Sequence, residues 1–313
     1  KIAELAKVGT ATVDRVLNNR SGVKKSTKMK VLNSLHYLEK DKGKKKHIFL
    51  LCQSGSAYNN TLRDSLSEFL IKNQLFNVDS KFILTKEKIS NNLKEIILNK
   101  QNYDGLIIIS TENKTVNEIV NKFSFKKKPV ITLTSDLSET NRHAYVGNDQ
   151  VAAGSTAAKL LTSLMKNKRG EILMIISQPF RCQQERELGF KKILRYEFPK
   201  IKITETIQTT DTSEESYKHV KKYIKENGPP EGIYNITGGN LGVADALKEL
   251  DANDVNFVGH ELNNNTKMLL TSDRMDYVIG HDVKYELKKS FNLIFVEGYL
   301  FSSNLWYIKE IIP

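Results

Sequence analysis

The sequence predicts an α/β body of two parallel-sheet lobes, preceded by a small all-α head that contains a helix-turn-helix. Three observations carry this. Residues 1–47 hold 13 Lys and Arg against 4 Asp and Glu, a net of +9 out of a formal +12 for the whole chain. The other 266 residues carry only +3, so a compact basic segment is attached to a nearly neutral body. Beyond it, short apolar runs alternate with amphipathic stretches, the pattern of strands and helices that build parallel sheets. Finally, the 313 residues less a 46-residue head leave about 267, enough for two lobes of ordinary size.

In the head, Ile2, Leu5 and Ala6 recur at helical spacing, Val8-Gly9 interrupts, and Val13, Val16 and Leu17 resume the pattern. Two short helices at an angle result. The turn formers Asn18-Asn19-Arg20-Ser21-Gly22 precede a third helix, for which Ser26 or Thr27 is placed as cap. Val31, Leu32, Leu35 and Leu38 line one face of that helix, and Lys24, Lys25, Lys28 and Lys30 crowd its opening turns. The second helix exposes Thr10, Ala11, Asp14, Arg15 and Asn18 on its polar side and fits a major groove. A basic head on a neutral body is what a protein needs if one domain sits on a polyanion and the rest does not. The expected partner is double-stranded DNA.

The run Ile2-Ala3-Glu4-Leu5-Ala6-Lys7-Val8-Gly9-Thr10-Ala11-Thr12-Val13-Asp14-Arg15-Val16-Leu17-Asn18 aligns without a gap on the DNA-binding headpiece of the LacI/GalR family of bacterial regulators, which it resembles. The resemblance implies that Thr10 and Ala11 face base edges, that Arg15 reaches a base or phosphate, and that Thr12 and Asn18 hold the backbone. Asn19 and Lys24 complete the expected DNA-facing set, while Val13, Val16 and Leu17 read as core. Asp14 departs from the family, which carries a small or neutral polar residue there. A carboxylate beside phosphates is repulsive unless Arg15 or a lysine neutralises it. The segment 41–47, with Gly43 among lysines, reads as a solvated connector running into the first strand. Typical members carry a longer linker there that folds into a minor-groove hinge helix, so intercalation of an apolar wedge is not expected.

Strands are expected at 48–52, 81–84, 105–110, 129–134, 171–176, 203–207, 232–236, 256–260 and 276–280. Helices are expected at 59–73, 149–165, 185–197, 213–227 and 284–297, with a short edge strand at 306–310. In such sheets the ligand lies beyond the carboxyl ends of the strands. The segments there (53–60, 110–113, 135–136, 148–150, 177–186, 237–240, 260–263 and 281–282) are rich in Ser, Asn, Asp, His and Arg. That inventory suits a polyhydroxylated ligand, whose hydroxyls need planar partners and whose ring needs an aromatic cover from Tyr58, Tyr145 or Phe180.

The body resembles the periplasmic-binding-protein-like (type I) effector domain of the same family over essentially its whole length. Tyr145-Val146-Gly147-Asn148-Asp149-Gln150-Val151-Ala152-Ala153-Gly154 resembles the family's crossover segment. Arg186-Glu187-Leu188-Gly189-Phe190 matches its Arg-x-x-Gly-Phe motif, and Val258-Gly259-His260-Glu261 matches a strand end. The resemblance implies that Arg186 clamps ligand hydroxyls; a local alternative is a helix-start arginine bonded to Glu185 or Glu187. Asp149 is either a ligand carboxylate or a helix cap, and His281 either a ligand contact or an interlobe residue. Ser54, Tyr58, Asn59, Asn235, Asn240 and Glu261 complete the expected effector set. Asn235 and Asn240 bracket Thr237-Gly238-Gly239, a turn whose free N–H groups suit an anion or hydroxyl. The acidic residue that the family commonly shows near this turn is absent from it.

The resemblance also implies three crossings between lobes, expected near 166–168, 280–283 and 301–304. Lobe 1 is then about 47–166 with 282–302, and lobe 2 about 167–281 with 303–313, after a head and linker at 1–46. Leu62, Leu66, Phe69 and Leu70, with Phe76, are either core or a dimer surface. A homodimer is expected because one small head makes too few contacts for selective binding. No Gly-x-Ser-x-Gly elbow, zinc spacing or Cys pair speaks for an enzyme, and no cofactor or metal is called for. Cys52 and Cys182 read as reduced thiols. No run reaches the ~18 apolar residues of a membrane span, and no signal peptide opens the chain, which points to the cytoplasm. Because the run starts inside the first helix, residues before Lys1 are expected. The whole reads as a regulator, a repressor controlled by a small polar effector such as a sugar or polyol. The alternative is a periplasmic-type solute-binding protein or a sugar-modifying enzyme with a basic N-terminal extension.

Overall fold

The computed structural model describes residues 2–40, 45–100, 102–166, 170–300 and 308–312. The head consists of α1 (Ile2–Ala6), α2 (Thr10–Leu17) and α3 (Lys25–Lys40). Ala6, Val16, Val31 and Leu32 are its buried centre, with Ile2, Val8, Val13 and Val23 packed around them. Leu5, expected on the apolar side, is about half exposed instead. The third helix starts one residue before Ser26, so neither Ser26 nor Thr27 precedes it as a cap.

The body begins with β1 (Lys46–Ser54), α4 (Ser56–Lys72), β2 (Phe76–Leu84) and α5 (Asn91–Glu95), which continues into a π-turn at Ile96–Lys100. Then come β3 (Gly105–Ile109), α6 (Lys114–Phe125), β4 (Val130–Leu133) and β5 (Ala144–Asn148). The second lobe runs through α7 (Gln150–Leu164), β6 (Gly170–Ile176), α8 (Arg181–Glu197), β7 (Ile201–Gln208) and α9 (Ser213–Asn227). It ends with β8 (Gly232–Asn235), α10 (Asn240–Glu249), β9 (Asn256–His260), α11 (Asn264–Thr271) and β10 (Tyr277–Ile279). Last are α12 (Val283–Leu300) and β11 (Ile308–Ile312).

Two all-parallel sheets result, ordered β11-β5-β4-β3-β1-β2 and β10-β9-β8-β6-β7. Helices cover both faces, which is why β3 (GLIII) and β4 (VITL) are buried along their whole length instead of alternating. In each lobe separate apolar clusters fill the two sides of the sheet.

Two expectations about lobe limits are corrected. The first crossing is at Asn148–Gln150, not 166–168, because α7 packs on α8 and its Ala157, Ala158 and Leu161 join the second-lobe core. That helix contact is backbone to backbone: a Cβ added at Gly154 would lie 1.9 Å from the Arg186 carbonyl oxygen, and one at Gly189 2.1 Å from that of Val151. The chain passes back between β10, in the second sheet, and α12, whose Leu287, Phe291 and Ile294 join the lobe 1 core. The third crossing, near 301–304, and the linker at 41–44 lie outside the described residues. Residues 308–312, expected in lobe 2, form β11 and pair with β5 of the first sheet. On α4, Leu62 and Leu66 are buried with Phe76, and Phe69 and Leu70 pack against the same cluster, so this face is core. Among the described residues no helix is long and apolar enough to cross a membrane.

Candidate functional site

In the head, α2 buries Val16 and turns Thr10, Ala11, Asp14, Arg15 and Asn18 to solvent, while Thr12 is half-buried. Asp14 is neutralised, though by neither Arg15 nor a lysine: Arg20 Nη1 donates to its Oδ2 at 3.0 Å and Asn18 Nδ2 to its Oδ1 at 2.7 Å. Arg15 has no such partner among the described residues and remains free for an anion. Asn18 and Asn19 do intradomain work instead. Asn18 ends α2, and Asn19, in the left-handed region at φ 49°, accepts Lys28 Nζ at 2.8 Å. Lys24 is exposed just before α3.

In the body, the carboxyl ends of both sheets face one cleft. Its inner chamber encloses about 30 Å³ and is walled by Ser54, Tyr58, Thr134 and Ser135 from lobe 1 and by Phe180, Arg186, Asp211 and Glu261 from lobe 2. Arg186 is buried on the first turns of α8, where its Nε donates to Gln150 Oε1 at 2.7 Å and its Nη1 to the Ile236 carbonyl at 3.2 Å. It bonds neither Glu185 nor Glu187. Gln150 in turn donates to the Thr134 carbonyl at 3.0 Å and to Asn148 Oδ1 at 2.6 Å, so the arginine is tied to the first crossing.

Asp211 was missed from the sequence. It follows β7, in the left-handed region at φ 66°, and closes the cleft. Its Oδ2 accepts Thr85 Oγ1 of lobe 1 at 3.0 Å, its Oδ1 accepts Gly238 N–H at 2.5 Å, and Gly55 N–H also donates to it. The carboxylate therefore sits at the entrance to both α4 and α10, where unpaired N–H groups favour negative charge. The anion expected at Thr237-Gly238-Gly239 is thus supplied by the chain itself, as is the acidic group the turn lacks. The Thr-Thr-Asp-Thr polarity of residues 209–212, just beyond β7, is the signal in the sequence that marks it. Besides the Thr85 and Gly55 bonds to Asp211, a further interlobe bond runs from Cys182 N–H to Ser135 Oγ at 3.3 Å.

Burial pushes the Asp211 carboxyl up. Burial, reinforced by the Asp211 charge, pushes Glu261 up to about 7. Both thiols are buried and free, and burial raises them, which makes them poor nucleophiles.

Ser54, Tyr58, Arg186 and Glu261 thus meet in the chamber, and five other expected residues serve the frame. Asp149 caps α7 by accepting Ala152 N–H at 2.9 Å. Asn59 donates to the carbonyls of Ser54 and Ile83 beneath the wall. Asn235 donates to Asn240 Oδ1 at 2.8 Å, and Asn240 donates to the His260 carbonyl at 2.9 Å. His281 Nδ1 lies 2.8 Å from Glu286 Oε1 behind the chamber, stacked on Tyr58 with 6.0 Å between ring centroids. Thr134 joins these groups: Tyr58 Oη is 2.6 Å from its hydroxyl, which donates to Glu286 Oε2 at 3.0 Å. His281 is therefore a second-crossing residue, the interlobe alternative.

Residues 1–39 match the model for bacterial regulatory proteins of the lacI family, and residues 85–295 match the periplasmic binding protein domain. Among solved structures, an ABC transporter solute binding protein from Burkholderia graminis C4D1M in complex with D-arabinose shares 19% identity at a TM-score of 0.76, covering 86% of this chain and 93% of that one. A periplasmic solute binding protein from Actinobacillus succinogenes 130z with bound D-allose shares 16% at 0.72, covering 86% and 96%. GanP, a glucose-galactose binding protein from Geobacillus stearothermophilus, shares 17% at 0.73, covering 86% and 96%. No curated protein matches the chain.

Proposed function

This chain belongs to the lacI family of bacterial regulatory proteins, with a periplasmic binding protein domain as its body, and from that premise we propose that it is a repressor whose grip on an operator is set by a sugar bound between its lobes. The observation that carries the reading is the exposed polar face of α2, held by a buried apolar centre at the end of a basic head. Thr10 and Ala11 read base edges there, Arg15 takes a base or phosphate, and Lys24 adds phosphate affinity. The Asp14–Arg20 pair removes a local repulsion without occupying Arg15.

In the body, Arg186, Glu261, Ser54 and Ser135 offer donors and acceptors, and Tyr58 and Phe180 offer ring faces, the set a polyhydroxylated ligand needs. The bound sugars of structurally similar proteins, D-allose and D-arabinose, support that class. At about 30 Å³ the chamber is too small for a sugar ring, so a sugar fits only when the lobes part and the bonds from Thr85 and Gly55 to Asp211 and from Cys182 to Ser135 open. Sugar-dependent closure then changes the relation between the two heads of a homodimer, and the sign of the effect follows from which state each ligand binds better. Ile71, exposed on the outer side of α4, is an apolar residue that a partner subunit can cover. The protein works in the cytoplasm, beside the chromosome, as a binding protein and not an enzyme.

The test is a thermal-shift screen of sugars and polyols, followed by duplex binding with and without each hit. We expect at least one sugar to raise Tm and to change DNA affinity. Turnover of a sugar, or sugar binding with no effect on DNA, contradicts the reading.

A further inference from the structure

Beside the small chamber lies a larger groove, of about 550 Å³, at the carboxyl ends of β1, β2 and β3. A chamber of about 30 Å³ holds roughly one water, whereas the groove falls within the ~300–1,000 Å³ range of small-molecule sites. Its lining is cationic. Lys86 and Lys88 stand on the loop after β2, Lys114 opens α6, and the only carboxylate among the lining residues is Glu87. That carboxylate is turned onto its own loop, where Oε2 accepts Leu84 N–H at 2.6 Å. None of the three lysines lies within ion-pair distance of a carboxylate among the described residues. The nearby acids bond other lysines, Glu118 to Lys94 and Glu214 to Lys218 at 2.9 Å, while Lys114 and Lys86 lie within their electrostatic reach without bonding them.

Hydroxyl and amide groups complete the lining, with Thr111 and Thr115 on the lobe 1 side and Gln178 from lobe 2. Asn113 caps α6 through Val116 N–H, so the N–H groups of Lys114 and Thr115 are left toward the groove and add to its positive field. Three exposed lysines lining a cavity of this size suit a compact, multiply charged anion with several acceptor oxygens, as a phosphoryl group is. The groove and the sugar chamber share one wall, the Thr85–Asp211 bond: Thr85 lines the groove and Asp211 lines the chamber. When the lobes part and that bond opens, the two spaces join.

We propose that the groove is a phosphoryl site and that the effector is a phosphorylated sugar, its ring in the chamber and its phosphate against Lys86, Lys88 and Lys114. The sugar half of this statement rests on the proposed function; the phosphoryl half rests on the groove alone. The same arrangement gives the ligand two grips on lobe 1, and it replaces the Asp211 carboxylate as the group that lobe 1 holds on closure.

The experiment is calorimetric titration of the full chain with a panel of aldose phosphates, each with its parent sugar, and with inorganic phosphate as a separate arm. The K86Q/K88Q/K114Q variant and its Arg counterpart K86R/K88R/K114R run alongside, with Tm measured for each to show that it is folded. We expect one or more sugar phosphates to bind about tenfold or more tighter than the parent sugar, the Gln variant to lose that advantage with parent-sugar affinity unchanged, and the Arg variant to keep it. If parent sugars bind but no phosphate ester is preferred, or if the preference survives in the Gln variant, the phosphoryl site is overturned and the sugar reading stands. If no sugar binds while inorganic phosphate raises Tm in the native chain and not in the Gln variant, the groove stands and the sugar reading falls. No response to phosphate in any form overturns the proposal.

Discussion

Gly189 illustrates how a single residue is set by its surroundings. Its added Cβ would meet the Val151 carbonyl oxygen at 2.1 Å and the Ser155 nitrogen at 3.0 Å, both backbone atoms of α7 that cannot yield without separating two helices. G189A is therefore expected to destabilise the body by about 1–3 kcal/mol, read from urea unfolding. Glu261 supplies a pH dependence. Its carboxyl is raised from an ordinary 4.5 to about 7, so between those values the folded chain holds a proton that the unfolded chain releases. Stability is expected to fall as pH rises from about 4.5 through about 7, and E261Q to flatten that fall in a Tm-against-pH series. Arg186 was legible at its motif, because Arg-x-x-Gly-Phe ties a polar head to a helix crossing in one short run. Asp211 was not. An aspartate in a polar loop carries no mark of its partners Thr85 and Gly55, which lie more than a hundred residues away.

Among the elements, α2 depends on its charge arrangement. Arg20 and Asn18 share the Asp14 carboxylate, which faces the same side as Arg15. R20A exposes that carboxylate to phosphates, and duplex binding is expected to weaken by about 0.2–1 kcal/mol, with D14A in the same background restoring it, as measured by fluorescence anisotropy. The centres of most strands were visible as apolar runs, and 256–260 and 213–227 match their elements end to end. The first half of β2 was not visible, because Asn77, Asp79 and Ser80 make an edge strand that pairs on one side only. β5 read as crossover because its apolar core, Ala144 to Val146, is short and runs directly into the polar Asn148-Asp149-Gln150. Its strand character comes from flanking β4 and β11.

For the whole molecule, two sheets joined through a cleft were legible from the alternation of elements and the charge partition, but the lobe limits were not. Helix α7 is amphipathic whichever lobe it joins. Only the small residues of its contact with α8 decide the matter, and their partners are distant in sequence. Among the described residues, Thr85 and Gly55 bond Asp211 across the cleft, and Thr85–Asp211 is the bond between groove and chamber. T85V keeps the shape and removes the donor. It is expected to favour the open form by about 0.5–1.5 kcal/mol, seen as a larger radius of gyration in small-angle scattering, which a sugar ligand then reverses.

The central claim is that the basic head reads duplex sequence through α2. The most direct measurement is selection of binding sites from a random duplex pool by the full chain and by R15A at physiological salt. The native chain is expected to enrich a two-fold symmetric site, and R15A to lose about 1–3 kcal/mol of affinity for it with the sugar response of the body unchanged. Enrichment of no site, or the same site enriched with undiminished affinity by R15A, contradicts it.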